Sequence, residues 1–114
     1  MAPNGTSIIV KLREDLLKVL KDNKDLKVLD AGDLLMPGGD LKKSLEVLAV
    51  ATEKISRAGI IPVILGGDHS IASADVAGIA AHRGLGKISM IHFDAHADTG
   101  DSQFGALEGH GTPM

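Results

Sequence analysis

Asp94, His96 and Asp98 are side chains of the kinds that bind metal ions, and they are spaced at i, i+2 and i+4. In an extended backbone, residues at this spacing project to the same side and can reach a common ion. No Lys or Arg stands within the stretch to pair the two carboxylates, and unpaired charges are costly to bury. The three residues therefore predict a metal site.

A second cluster, Gly66 to Ser70, holds His69 directly after a pair of glycines. A lone histidine in such a turn is as often a capping or solvated residue as a ligand, but a place at a neighbouring strand end favours a ligand. Asp68 can either orient His69 or cap the following helix, and the sequence leaves both readings open. His92 is interpreted as a core histidine of an apolar strand, although its i, i+2 spacing from Asp94 would place both side chains on the same side of an extended chain. His82 is interpreted as a solvated residue.

The elements that must position these clusters alternate between strands and helices. Residues 60–65 are apolar at every position, as expected for a strand covered on both faces. Such alternation predicts an α/β fold with three layers, α-β-α, around a parallel sheet, and both clusters follow the carboxyl ends of strands, where ligands bind. The predicted strands cover residues 26–30, 60–65 and 87–93, and the predicted helices cover residues 10–22, residues from an N-cap at Asp40 to Gly59, and residues up to about Arg83.

The composition of the chain restricts its expected partners, its location and its metal ligands. The net charge of -3, without a basic stripe, argues against nucleic acid as a partner. The sequence has no run of some 18 apolar residues that would predict a membrane span, and its first six residues do not resemble a signal peptide. A cytoplasmic protein is therefore expected. Because the chain has no Cys, histidines and carboxylates are the available ligands, which favours harder metals. His110, between two glycines, offers an imidazole suited to proton transfer.

Three motifs occur in the order and approximate spacing of the ureohydrolase family, which includes the arginases and agmatinases. They are Gly66-Gly67-Asp68-His69-Ser70, Phe93-Asp94-Ala95-His96-Ala97-Asp98 and His110-Gly111-Thr112-Pro113-Met114. The chain most resembles the agmatinase and guanidinobutyrase branch, whose members hydrolyse a guanidinium group to urea and an amine. The resemblance covers about residues 26–114 and implies that residues 1–114 are a partial, arginase-like domain, truncated after the second metal-ligand motif.

The resemblance also implies roles for individual residues. His69 and Asp98 resemble ligands of a first Mn2+, His96 resembles a ligand of a second, and Asp94 resembles the carboxylate that bridges both. A hydroxide shared by the two ions would attack the guanidinium carbon, while His110 resembles a histidine that relays protons. A small guanidino compound as substrate, a role in polyamine metabolism and a homo-oligomeric full-length form are expected on the same grounds.

Other readings stay open at this stage. The family completes its metal site with an Asp-x-Asp motif from a later strand, which would lie beyond Met114, so the second ion is expected to bind weakly here. A non-catalytic fragment that binds metal or a partner is therefore an alternative, and the sequence does not separate agmatine, guanidinobutyrate and arginine as substrates. A binuclear metallophosphoesterase is less favoured, since its Asp-x-His element precedes its Gly-Asp element, whereas Gly67-Asp68 precedes Asp94 here.

Overall fold

The computed structural model describes residues 8–100, with side chains from Arg13 onward. Three helices form within these residues: α1 (Ile8–Asp22), α2 (Leu41–Arg57) and α3 (Ile71–Arg83). All three correspond to predicted helices, so the helical part of the prediction is confirmed. In the described part of the chain, no helix has the length and apolar character needed to traverse a lipid bilayer.

The chain divides into two compact units, the first ending at Asp33 and the second beginning at Leu34. In the first unit, a forked contact from Arg13 joins α1 to the segment that follows it. Nη2 of Arg13 donates to Oδ1 of Asp30 at 2.5 Å, and Nη1 donates to Oδ1 of Asp33 at 2.6 Å. The Arg13 guanidinium lowers the pKa of Asp30, and a hydrogen bond from the Gly32 N–H adds to this effect. These ion pairs hold an irregular segment where the sequence predicted a short strand.

Helix α2 is the first helix of the second unit, and a residue at each end of it marks where the helix starts and stops. Oδ1 of Asp40 accepts the Lys43 N–H at 2.9 Å, as expected of an N-cap carboxylate, so the predicted cap is confirmed. The helix ends at Arg57, and Gly59 follows with a φ of 73°, a left-handed conformation that stops helices without a side-chain clash. The predicted stop at Gly59 is therefore confirmed to within two residues.

Helices α2 and α3 pack against each other through small side chains. A Cβ added to Gly78 would lie 2.5 Å from the carbonyl oxygen of Ala49 and 2.8 Å from Cβ of Thr52, so glycine permits the close approach of the two backbones. The face of α2 that was expected to cover a sheet covers α3 instead. The side chains that are buried most deeply in this contact are Leu48, Thr52 and Ser56 of α2 and Ala74 of α3.

No strand forms among residues 8–100, so the sheet of the predicted three-layer fold is not seen in the described part of the chain. The two segments expected to be central strands, residues 60–65 and 87–93, are irregular. Most of their large apolar side chains face solvent, and the exposed fraction reaches 87% at Ile61 and 93% at Phe93. A buried strand needs backbone partners on its edges and side chains on its faces, and residues 8–100 provide no such pairing for these two segments.

Candidate metal centre

Four side chains of the second unit converge on one point. His69, His92, Asp94 and Asp98 each offer one ligand atom, and these atoms all lie within 4.8 Å of one another. Bonds of about 2.1 Å from an ion to nitrogen or oxygen put the ligand atoms of a tetrahedral site roughly 3.4 Å apart. The four atoms are therefore near enough for several of them to reach a single divalent ion after shifts of about 1 Å.

The start of α3 positions His69. The Ser70 N–H donates to Oδ1 of Asp68 at 2.8 Å, and the Ala72 N–H donates to the carbonyl oxygen of His69 at 3.0 Å. These bonds form the turn that leads into α3 and fix the backbone that carries the imidazole. The cap residue of α3 is Ser70, without a side-chain cap hydrogen bond, so both roles of Asp68, orienting His69 and capping the helix, stay predictions.

His69 and Asp98 face each other across the cluster. Nε2 of His69 lies 2.9 Å from Oδ2 of Asp98, but the approach lacks hydrogen-bond geometry. Within residues 8–100, Nε2 is shielded from solvent and has no hydrogen-bond partner. A shielded nitrogen without a partner is unfavourable, whereas a cation between it and the carboxylate would satisfy both groups. This observation shows that the site fits a metal ion.

Both carboxylate oxygens of Asp94 have a neighbour. Oδ1 accepts the His96 N–H at 2.9 Å, and Oδ2 lies 3.5 Å from Nε2 of His92. The pKa of Asp94 is lowered chiefly by the hydrogen bond from the His96 backbone, with smaller contributions from the His92 and His69 side chains. These contacts favour the ionised carboxylate, which is the form that binds a metal ion.

His96 lies outside the cluster, although the sequence predicts it as a ligand. Its side chain is 83% exposed, and its Nδ1 lies 3.7 Å from Oδ1 of Asp94. The chain bends at residues 95 and 96, so the rule that i, i+2 and i+4 share one side, which holds for a straight strand, fails here. The structure thus brings His69, Asp94 and Asp98 together and leaves His96 apart; the predicted proton carrier, His110, lies outside the described residues.

Two histidines have environments that the sequence analysis did not predict. His92 was assigned to a core, yet it joins the cluster, and its ring stacks on that of His69 with centroids 5.9 Å apart and planes 13° apart. The signal in the sequence that could have placed His92 in the cluster is its i, i+2 spacing from Asp94. His82 was expected to be solvated, but it is half-buried, and its Nδ1 lies 2.7 Å from Oγ of Ser56 between α2 and α3. The tight crossing of these helices encloses it.

The donor set suits one divalent cation. Imidazole nitrogens bind several transition metals, and carboxylate oxygens favour harder ions such as Mg2+, Ca2+ and Mn2+. Asp94 and Asp98 together carry two negative charges, which balance the charge of one such ion. The described residues therefore fit a divalent metal as a class and do not single out manganese.

Comparison with known proteins gives concordant results. The sequence model of the Arginase family matches residues 4–114, a wider range than the 26–114 of the motif resemblance. A guanidinobutyrase from Pseudomonas aeruginosa is 36% identical over 87 residues, which are 76% of this chain and 27% of that protein. A mitochondrial agmatinase from Gallus gallus is 36% identical over 89 residues, which are 78% and 26% of the two chains. A mitochondrial guanidino acid hydrolase from Homo sapiens is 38% identical over 91 residues, which are 80% and 25%. The chain thus spans about a quarter of the length of these relatives.

Proposed function

This chain belongs to the arginase family, and on that premise we propose that it carries part of the site at which a ureohydrolase converts a guanidino compound to urea and an amine. The names of the similar proteins, guanidinobutyrase, agmatinase and guanidino acid hydrolase, support a substrate of the agmatine or guanidinobutyrate type. The observation that carries the proposal is the unsatisfied Nε2 of His69 opposite Asp98, inside a cluster of imidazoles and carboxylates.

We propose Mn2+ as the cofactor, two ions in the complete site. His69, Asp94 and Asp98 would hold the first ion, and Asp94 would also bridge to a second ion held by His96. When bound, the pair of ions supplies an activated water for attack on the guanidinium carbon. The exposed position of the His96 imidazole means that this side chain has to turn inward before it can serve the second ion.

The chain's own residues have further roles in this proposal. His110 delivers a proton to the departing amine. The proposal also includes an α-β-α domain with a parallel sheet in the complete protein, a cytoplasmic setting, participation in polyamine metabolism and self-association of the full-length form.

A second candidate function is metal binding without turnover. It is favoured by the position of His96, because the described cluster has ligands for one ion and the fourth predicted ligand faces solvent. A chain in this state would bind one divalent ion, or bind it weakly, and release no urea.

Urea release tests the two candidates directly. The chain loaded with Mn2+ is incubated with agmatine, 4-guanidinobutyrate or arginine, beside a metal-free control, and bound manganese is counted by elemental analysis. Manganese-dependent urea would support the hydrolase, and the preferred substrate would identify the branch. Bound manganese without urea would support the non-catalytic alternative. A chain that releases no urea and binds no manganese would contradict both candidates.

Asp94→Asn is the most informative variant in this assay, both in the chain and in a full-length relative. The change weakens a ligand shared by both ions, so metal content should drop and activity should fall by orders of magnitude. Asp25→Asn removes the same charge from an exposed site in the first unit and serves as the matched control. Normal metal content and turnover in Asp94→Asn would remove Asp94 from its proposed role.

His110→Ala separates proton transfer from metal binding. The variant should lower the rate of urea release while leaving manganese content unchanged. Loss of manganese in this variant would make His110 a ligand instead of a proton carrier.

A further inference from the structure

We propose that His92 is a positioning residue of the metal centre: its imidazole holds the Asp94 carboxylate and the His69 ring in place without binding the ion. Insofar as it concerns an ion, this inference rests on the proposed function. It assigns a role to a histidine that the family's motifs do not include and that the structure brings into the cluster.

The first argument is the pair of neighbours around the Asp94 carboxylate. The His96 N–H donates to Oδ1 at 2.9 Å, and Nε2 of His92 lies 3.5 Å from Oδ2. Rotation of the carboxylate about its Cβ–Cγ bond would move it away from both neighbours at once. The plane of the carboxylate is thus fixed from two sides, and His92 provides the one side-chain contact that the structure shows at Oδ2 within the described residues.

The second argument is the stacking of two imidazoles. The rings of His92 and His69 lie 5.9 Å apart at an angle of 13°, while Nε2 of His69 is aimed at Asp98. One face of the His69 ring is therefore supported by His92, which limits its rotation. Because His69 lies just before α3 and Asp94 follows residues 87–93, His92 links proposed ligands from two separate segments of the chain.

The third argument concerns the proton on His92. Nε2 of His92 faces Oδ2 of Asp94 at 3.5 Å, a longer contact than the 2.9 Å hydrogen bond at Oδ1. A proton on this nitrogen would point at the carboxylate, and a protonated ring nitrogen has no lone pair free for a metal ion. Nε2 can therefore serve either Asp94 or an ion. Groups that support metal ligands in this way commonly change metal affinity by about 10–100-fold when they are removed.

Two substitutions separate the contacts of His92. His92→Phe keeps a ring to stack on His69 but loses the nitrogen that faces Asp94, whereas His92→Gln keeps a polar donor and loses the ring. His82→Gln, which replaces the histidine between α2 and α3, is the matched control. Manganese binding is measured by titration, with free Mn2+ followed by its electron paramagnetic resonance signal. We expect dissociation constants about 10–100-fold higher for His92→Phe, a smaller increase for His92→Gln, and none for His82→Gln.

Two spectroscopic readouts make the outcome decisive. Pulsed resonance spectra of bound Mn2+ should show the same number of coordinated imidazoles in the wild type and in His92→Phe; a loss of one imidazole would make His92 a ligand and overturn the proposal. In the metal-free protein, the ring proton signals of His69 should shift in His92→Gln, where the stack is lost. Unchanged His69 signals, or unchanged manganese affinity in His92→Phe, would also overturn it. A wild-type chain that binds no manganese would contradict the proposed function, while the metal-free spectra would still decide the role of His92.

Discussion

Replacing Gly78 with alanine perturbs the contact between α2 and α3 by a single methyl group. The added Cβ would lie 2.5 Å from the carbonyl oxygen of Ala49, whereas Cβ atoms in proteins essentially never come closer than 3.0 Å to such an atom. Both atoms at this point are backbone or rigidly attached to it, so no flexible side chain can give way. The helices must separate by at least about 0.5 Å there, which loosens the packing around Thr52, itself only 1% exposed.

Two opposing effects set the size of the change. Alanine is a better helix former than glycine by about 1 kcal/mol, and overpacking in a close contact costs about 1–3 kcal/mol. The net expectation for Gly78→Ala is a loss of about 1 kcal/mol in the free energy of unfolding. In a domain of this size, each kcal/mol corresponds to a decrease in Tm of about 4–8 °C.

Thermal and urea unfolding followed by circular dichroism at the helix band measures this loss. Ala77→Gly is the control, because Ala77 is exposed on the same helix and its replacement changes helix propensity without a steric contact. Propensity alone predicts opposite signs for the two variants, while the structure predicts that both are destabilised. If Gly78→Ala is more stable than the wild type, α2 and α3 do not cross at Gly78 and the packing described above is wrong.

Three further predictions concern charged groups. Burial raises the pKa of Asp75 above 3.8, and its Oδ1 is shielded without a hydrogen-bond partner in the described residues; Asp75→Asn should therefore raise Tm at pH 7, and the gain should vanish below pH 3.8, where the carboxyl of the wild type is neutral. Arg13 lowers the pKa of Asp30 below 3.8, so this ion pair stabilises the first unit above pH 3.8 and is lost as the pH falls through the lowered pKa; hydrogen exchange of α1 should show Asp30→Asn weakening the helix at pH 7, and the effect should shrink as the pH falls through the lowered pKa. Asp40→Ala removes the N-cap of α2 and should cost about 1 kcal/mol in urea unfolding, with Asp25→Ala as an exposed control.

Local signals in the sequence account for the helices. Asp40 predicts the start of α2 because its carboxylate accepts a hydrogen bond from the amide three residues later. Gly59 predicts the end of the helix because glycine readily adopts a positive φ. Both effects depend on a few neighbouring residues, so the sequence contains all the information that they require. The partner of α2 is a different matter, because only the fold shows that Gly78 of α3 lies against Ala49 and Thr52 of α2.

The strands stay a prediction, since no sheet is seen in the described residues, and the reason why the sequence does not decide their pairing is physical. A strand is stabilised by hydrogen bonds to another segment, so the apolar run at residues 60–65 shows what the segment can bury and not whether a partner is in place. In the described residues this run stays irregular, with Ile61 largely exposed. The apolar pattern of residues 87–93 was interpreted in the same way and has the same outcome.

Prediction of the site depended on the straightness of the backbone. Residue types and spacing were sufficient to select His69, Asp94 and Asp98, which the structure brings together. The assumption of a continued extended chain also placed His96 with them and kept His92 in a core. The bend after Asp94, closed by the bond from the His96 amide, turns one histidine outward. Such a bend depends on a local bond that a pattern of alternating residues does not reveal.

The backbone at Asp98 restricts which residues can replace it over evolutionary time. Its φ of 51° lies in the left-handed region, where glycine, asparagine and aspartate are tolerated far better than other residues. Glutamate carries the same carboxylate chemistry, yet it lacks the short side chain that suits this conformation. The backbone conformation and the negative charge that faces His69 thus both restrict the residue at position 98. While the charge that faces His69 is under selection, we expect Asp98 to stay aspartate; where that selection is lost, we expect Asn or Gly to replace it, because these residues suit the positive φ.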